Sequence, residues 1–200
     1  MALLRANRWS HMTVQCLPAK LHNTPQKITE AVRAKIRAGR EKFGRIFVLY
    51  GDCGTGGALD EMLAEEGVER IAGAHCYEFF TGSRDFEELS EAEPRSFYLT
   101  DFLARHFDRL IIQGLGIDRY PELLPLYFGN YTRLVYLAQF EDPARLAQAR
   151  EAAARLGLAF EYRFTGYGEL APALARANGS TGGAARSLRR TPLAAAAPGD

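Results

Sequence analysis

What most constrains this chain is a repeated alternation of short apolar runs with stretches of helical spacing. Arg45–Tyr50 (RIFVLY) and Arg133–Gln139 (RLVYLAQ) each carry a continuous apolar run behind a leading arginine. Runs of this kind suit strands buried on both faces of a parallel sheet, whereas a sheet with one wet face needs strict alternation. The segments between them have a different period. Pro25 opens a predicted helix through about Gly39, with Ile28, Val32 and Ile36 four residues apart on one face. Ala58–Glu66 reads as a short helix stopped by Gly67, and Pro143–Leu156 as one with proline in its first turn and Gly157 past its end.

Weaker signals complete the pattern. Met12–Leu17, Val68–Ile71 and Leu158–Phe164 read as further strands, and Tyr167–Ala177 as a last helix. Phe97 to Gly116 fits a helix, because Phe102, Leu103, Phe107, Leu110, Ile111 and Leu115 follow three-four spacing; Leu110–Ile112 has a strand as its alternative. Asp85–Glu93 reads as a solvated acidic segment, and Pro121 as the start of another short helix. The expectation is a three-layer α/β fold of the Rossmann-like type, with a mostly parallel sheet of about five strands and helices on both faces.

Length and charge bound the rest. Two hundred residues suit one domain, here expected over 1–177. After Asn178 the sequence GSTGGAARSLRRTPLAAAAPGD lacks the apolar residues a core needs, so 178–200 is expected to be a disordered tail. A net charge of +1 gives no field to attract nucleic acid, and no run reaches the roughly 18 apolar residues of a membrane span. Neither a nucleic-acid nor a membrane partner is expected. Without a signal-peptide core the expected location is cytoplasmic, where thiols stay reduced. Three cysteines then point to metal binding, reactivity or plain burial rather than a disulfide framework.

Placed on this map, the reactive side chains fall together. Ligands of open α/β sheets bind beyond the carboxyl ends of the strands. Cys16 closes the first predicted strand, Cys53 follows the second, and Cys76 follows the third. His22 lies in the loop after Cys16, and His75 adjoins Cys76. Thiolate and imidazole suit zinc or iron, so Cys53, His75 and Cys76 are the expected metal ligands, with Cys16 and His22 as further candidates. Burial as a small hydrophobe is the competing reading for each thiol.

Gly51-Asp52-Cys53-Gly54-Thr55-Gly56-Gly57 carries four glycines and feeds a helix N-terminus, an arrangement that favours an anion or a thiolate. It is neither a Walker loop nor G-x-G-x-x-G. Gly54, Thr55, Gly56 and Gly57, with Thr165, Gly166 and Tyr167 after the last strand, are the candidate cofactor-binding residues. Glu78 is the candidate general base and Asp52 its partner beside the metal; a solvated carboxylate competes with both.

At Cys16–Asn23, Tyr50–Gly57, Gly73–Phe80, Phe97–Phe102 and Phe164–Leu170 the chain resembles a prokaryotic family of unknown function, domain of unknown function 1638. The resemblance spans about Leu3 to Leu174. It implies a link to corrinoid or methyl-group metabolism, with a corrinoid as a possible cofactor and methyl-transfer proteins as possible partners. Members usually begin with an extra strand ending in a Cys-Gly loop; this chain opens within the helix that follows, so an N-terminal strand is expected to be missing. Three functions follow in order: a metalloenzyme or metal carrier, an accessory module binding a small-molecule or cofactor ligand, and a thiol nucleophile or redox protein using Cys53.

Overall fold

The protein is described from a computed structural model covering residues 2–179, so the predicted tail lies, from residue 180 onward, outside the described residues. The chain is α/β, with five strands among the described residues, all paired in parallel. They form two hydrogen-bonded sheets, of two and three strands. The described residues divide into two compact units, one made of residues 2–86 with 167–179 and the other of residues 87–166.

In the first unit, α1 (Ala2–Ala6) precedes an irregular stretch and a short 3-10 turn at Ala19–Asn23. A second 3-10 turn begins at Pro25, whose fixed φ suits a helix start, and leads into α2 (Ile28–Arg40). Ile28, Val32 and Ile36 are buried, as their spacing predicts. They pack with Leu59, Met62 and Leu63 of α3 (Ala58–Glu66). Each of these six side chains contributes about 1.5–3 kcal/mol by leaving water. Glu65 and Glu66 of α3 pair with Arg33, Arg37 and Arg40 across the same helix pair. The strands β1 (Phe47–Val48) and β2 (Glu69–Arg70) pair in parallel, and α4 (Glu78–Thr81), the first turn of α5 (Ser83–Ala92) and α9 (Leu170–Ala177) complete the unit's helices.

In the second unit, β3 (Ser96–Thr100), β4 (Arg133–Ala138) and β5 (Ala159–Phe164) lie side by side in that order. β4 is central, and Leu134 to Ala138 are all buried, which is the continuous apolar run of a strand covered on both faces. α8 (Pro143–Leu156) packs Ala149, Ala152, Ala153 and Leu156 into the same core. Its ends follow the sequence: Asp142 accepts from the Ala144 and Arg145 N–H groups, and Gly157 leaves the helix in the left-handed region at φ 71°. Two short helices, α6 (Asp101–Arg105) and α7 (Leu123–Phe128), fill the crossover from β3 to β4.

Four local expectations are corrected. Met12–Leu17 is irregular and not a strand: among the described residues no strand pairs with it, and Val14 and Cys16 are exposed. The Arg45–Tyr50 run forms a strand over two residues only, with Leu49 exposed. Phe97–Gly116 begins as the strand β3, and its Leu110–Ile112 portion lies in a π-helical turn, so neither reading of that segment holds throughout. Asp85–Glu93 belongs mostly to α5, which is amphipathic and buries Phe86 and Leu89.

Candidate metal centre

The site is assembled where β1 and β2 run out. Beyond the two-residue strands, the parallel pairing continues through the loops: Ile71 N–H donates to Val48 O at 3.0 Å, Asp52 N–H to Gly73 O at 3.2 Å, and Cys53 N–H to Ala74 O at 2.9 Å. Gly51–Cys53 is thereby held alongside Gly73–Cys76. Gly51 is the point of closest approach. A Cβ there would lie 3.1 Å from Cys76 N, 3.1 Å from the His75 carbonyl carbon and 3.3 Å from Cys53 Sγ, so only glycine fits without displacement.

Cys53 sits at φ 48°, a left-handed conformation that costs a residue with a side chain about 1–2 kcal/mol. Asp52 compensates. Its carboxylate accepts from Thr55 Oγ1, from Gly56 N–H at 3.1 Å and from Gly57 N–H at 2.9 Å, closing the turn that leads into α3. The Thr55 hydroxyl, followed by the backbone donors, holds the Asp52 carboxyl below the usual range. Arg70 fixes the facing loop, donating through Nη1 to Ile71 O at 2.9 Å and Gly73 O at 3.0 Å.

The third arm comes from the 3-10 turn. His22 stacks on Tyr50, ring centroids 5.3 Å apart, and its Nδ1 lies 3.1 Å from Ala19 O. A carbonyl can only accept, so this contact places a proton on Nδ1, and in the neutral ring Nε2 keeps its lone pair. The result is a group of three: His22, Cys53 and Cys76 offer ligand atoms that all lie within 4.8 Å of one another. His22 is exposed, and the two cysteines are half-buried.

The charges of the three groups are linked. The Cys76 thiol, donating to Cys53, and then the His22 ring pull Cys53 strongly toward thiolate. The same contact with Cys53, with burial, pushes Cys76 up and keeps its proton. The Cys53 sulfur raises His22 toward imidazolium. Burial, reinforced by the two sulfurs, drives the Tyr50 hydroxyl up to about 12.

The other expected residues lie elsewhere. Cys16 is exposed and His75 is exposed with its ring edge-on to Phe86 at 6.0 Å; among the described residues neither belongs to the group of three. Glu78 is buried, and its Oε1 accepts from Ala74 N–H and His75 N–H, each at 2.9 Å. It therefore acts as the loop's cap. Thr165 and Gly166 belong to the second unit, where both N–H groups donate to Ala138 O. Tyr167, in the first unit, packs against Leu3, Leu4, Ala171 and Leu174. Gly54, Gly56 and Gly57 take positive φ in the turn that Asp52 closes. Tyr50 and Arg70 join the site without being among the residues expected from the sequence. Gly51 had a signal, as the first glycine of the rich loop; Arg70 had none.

A family model described as protein of unknown function (DUF1638) matches residues 16–174. The chain belongs to this family. All three residues of the cluster lie within the matched span. No curated protein and no solved structure matches the chain. Among the described residues, no helix is long and apolar enough to cross a membrane.

Proposed function

We propose that this DUF1638 protein is a metal-binding protein whose His22, Cys53 and Cys76 hold a thiophilic divalent ion, zinc or iron, with one coordination position left for water or a ligand. The observation that carries this reading is the convergence of one imidazole and two sulfurs within 4.8 Å. Tetrahedral zinc, with Zn–S about 2.3 Å, sets neighbouring sulfurs about 3.8 Å apart, so the group needs to contract by about 1 Å at most. The Ala19 carbonyl orients His22 in the way that a backbone acceptor on the other ring nitrogen orients a ligating histidine. A closed structural site would have four protein ligands, and three with one open position is the pattern of sites that meet a small molecule.

Between enzyme and carrier, the carboxylates favour holding the ion over moving protons. Both oxygens of Asp52, and Oε1 of Glu78, the candidate general base, accept from backbone N–H groups of the loops. The link to corrinoid or methyl-group metabolism rests on the family resemblance alone. Anaerobically purified protein is expected to carry close to one zinc or iron per chain, falling sharply in Cys53→Ser and Cys76→Ser. Folded wild type that resists reconstitution with either metal overturns the reading.

One observation favours a second reading. Cys53 is held as thiolate by a neighbouring thiol and imidazole, the setting of a nucleophilic cysteine. Protein that takes up no metal but alkylates at Cys53 far faster than at Cys16 makes thiol chemistry the function.

A further inference from the structure

The two sulfurs of the site belong to different loops that the backbone already holds together. Cys53 N–H donates to Ala74 O at 2.9 Å, and a Cβ on Gly51 would lie 3.1 Å from Cys76 N. The sulfurs lie within 4.8 Å, so a bond of about 2.0 Å requires an approach of roughly 3 Å at most. Cys16, the remaining thiol, is exposed and outside the group. The His22 ring is held by its stack on Tyr50 and by the Ala19 carbonyl rather than by the sulfurs, so it need not follow them when they move.

We propose that Cys53 and Cys76 are a reversible dithiol–disulfide pair, and that forming their bond expels the metal ion. This regulation rests on the metal-binding reading of the same site. The oxidant is a low-molecular-weight disulfide, RSSR. The Cys53 thiolate attacks one sulfur of RSSR and releases RS⁻; the Cys76 sulfur then attacks the Cys53 sulfur of the mixed disulfide and releases the second RS⁻. Two protein sulfurs are oxidised and RSSR is reduced to two thiolates. In the metal-free chain the Cys76 proton leaves with the second half as RSH. In the loaded chain the two thiolate charges that balanced the divalent ion are lost, leaving His22 as the last protein ligand, and one imidazole does not retain zinc against a chelator.

The test uses the full chain, metal-free and zinc-loaded, both reduced and then exposed anaerobically to oxidised glutathione. Cleavage at Arg70 separates Cys53 from Cys76, so peptide mapping without reductant reads the link directly. A Cys53–Cys76 link is expected in both samples. It should come with two thiols lost per link, about one zinc captured by a chromophoric chelator, and recovery of both thiols and zinc uptake after dithiothreitol. Cys16→Ser is expected to behave as wild type. A reaction that stops at a glutathione adduct, links through Cys16, or leaves zinc bound after the link forms overturns the proposal. The two readings fail separately: zinc uptake without a link sinks this inference and leaves the metal site standing. A link in a chain that takes up no zinc overturns the expulsion step together with the metal reading.

Discussion

Gly51→Ala probes the geometry of the site without touching a ligand. Gly51 is buried, and its φ lies outside the left-handed region, so the substitution is a steric test alone. The added methyl meets Cys76 N and the His75 carbonyl carbon at 3.1 Å and Cys53 Sγ at 3.3 Å. Ordinary carbon contacts lie near 3.5–4.0 Å, so two loops must part by a few tenths of an ångström. Two of the three neighbours are backbone, tied by the Asp52–Gly73 and Cys53–Ala74 hydrogen bonds, and cannot swing aside as a flexible side chain would. Overpacking of this kind costs about 1–3 kcal/mol of stability. Disturbing the supporting shell of a metal site lowers affinity about 10–100-fold. Zinc affinity by chelator competition and urea unfolding should therefore both fall. Gly44→Ala, with nothing within 4 Å and no positive φ, is the neutral control. Wild-type affinity and stability in Gly51→Ala would refute the close approach of the two loops.

Other outcomes follow from the same contacts. Glu78→Ala removes the acceptor of two N–H groups and should cost about 2 kcal/mol or more in urea unfolding, whereas Glu78→Gln, which keeps the oxygen, should leave zinc affinity within a few-fold; a large loss of affinity in Glu78→Gln would restore it as a site residue. Tyr136→Phe deletes the hydroxyl that donates to Asp101, leaving a half-buried carboxylate short of a partner, and should cost about 1–3 kcal/mol. Burial raises the Asp101 pKa despite the donors around it. The folded state therefore holds that proton more tightly than the unfolded chain does, near 3.9, and the stability of wild type relative to Asp101→Asn should decline as pH rises above about 4; a difference that grows with pH contradicts the burial. Gly168→Ala drives a methyl into the Phe80 carbonyl at a positive φ and should lower the melting temperature more than any other alanine named here.

The legible parts of the fold are those whose signals are local. α8 was read end to end, because Asp142, Pro143 and Gly157 each act on backbone within one turn. β4 was read from its apolar run, since a strand buried on both faces has no other composition. β3 was missed for a different reason. Thr100 ends the strand and caps α6 at once, its hydroxyl accepting from Leu103 N–H, so no loop residue marks the joint and the helical spacing from Phe102 spreads backward over it. Met12–Leu17 has strand-like alternation, but a strand exists only with a partner, and no sequence pattern supplies one.

The site divides in the same way. Cys53 and Cys76 were legible because each follows a strand, and two parallel strands bring their following loops together. His75 was preferred to His22 for its adjacency to Cys76, yet neighbouring side chains in an irregular loop diverge, and His75 turns to Phe86. His22 reaches the thiols from a separate turn through its stack on Tyr50 and the Ala19 carbonyl, contacts with no sequence spacing to betray them. Asp52 and Glu78 looked catalytic because carboxylates near thiols often are. Both Asp52 oxygens and Glu78 Oε1 answer the loops' own N–H groups, a demand that exists only once the loops are folded.

X-ray absorption of the zinc-loaded protein tests the central claim most directly. Two sulfurs at about 2.3 Å, one imidazole nitrogen at about 2.0–2.1 Å and one further light ligand are expected. His22→Ala should remove the imidazole signature while both sulfurs stay. A shell without sulfur, or one that His22→Ala leaves unchanged, would contradict the account.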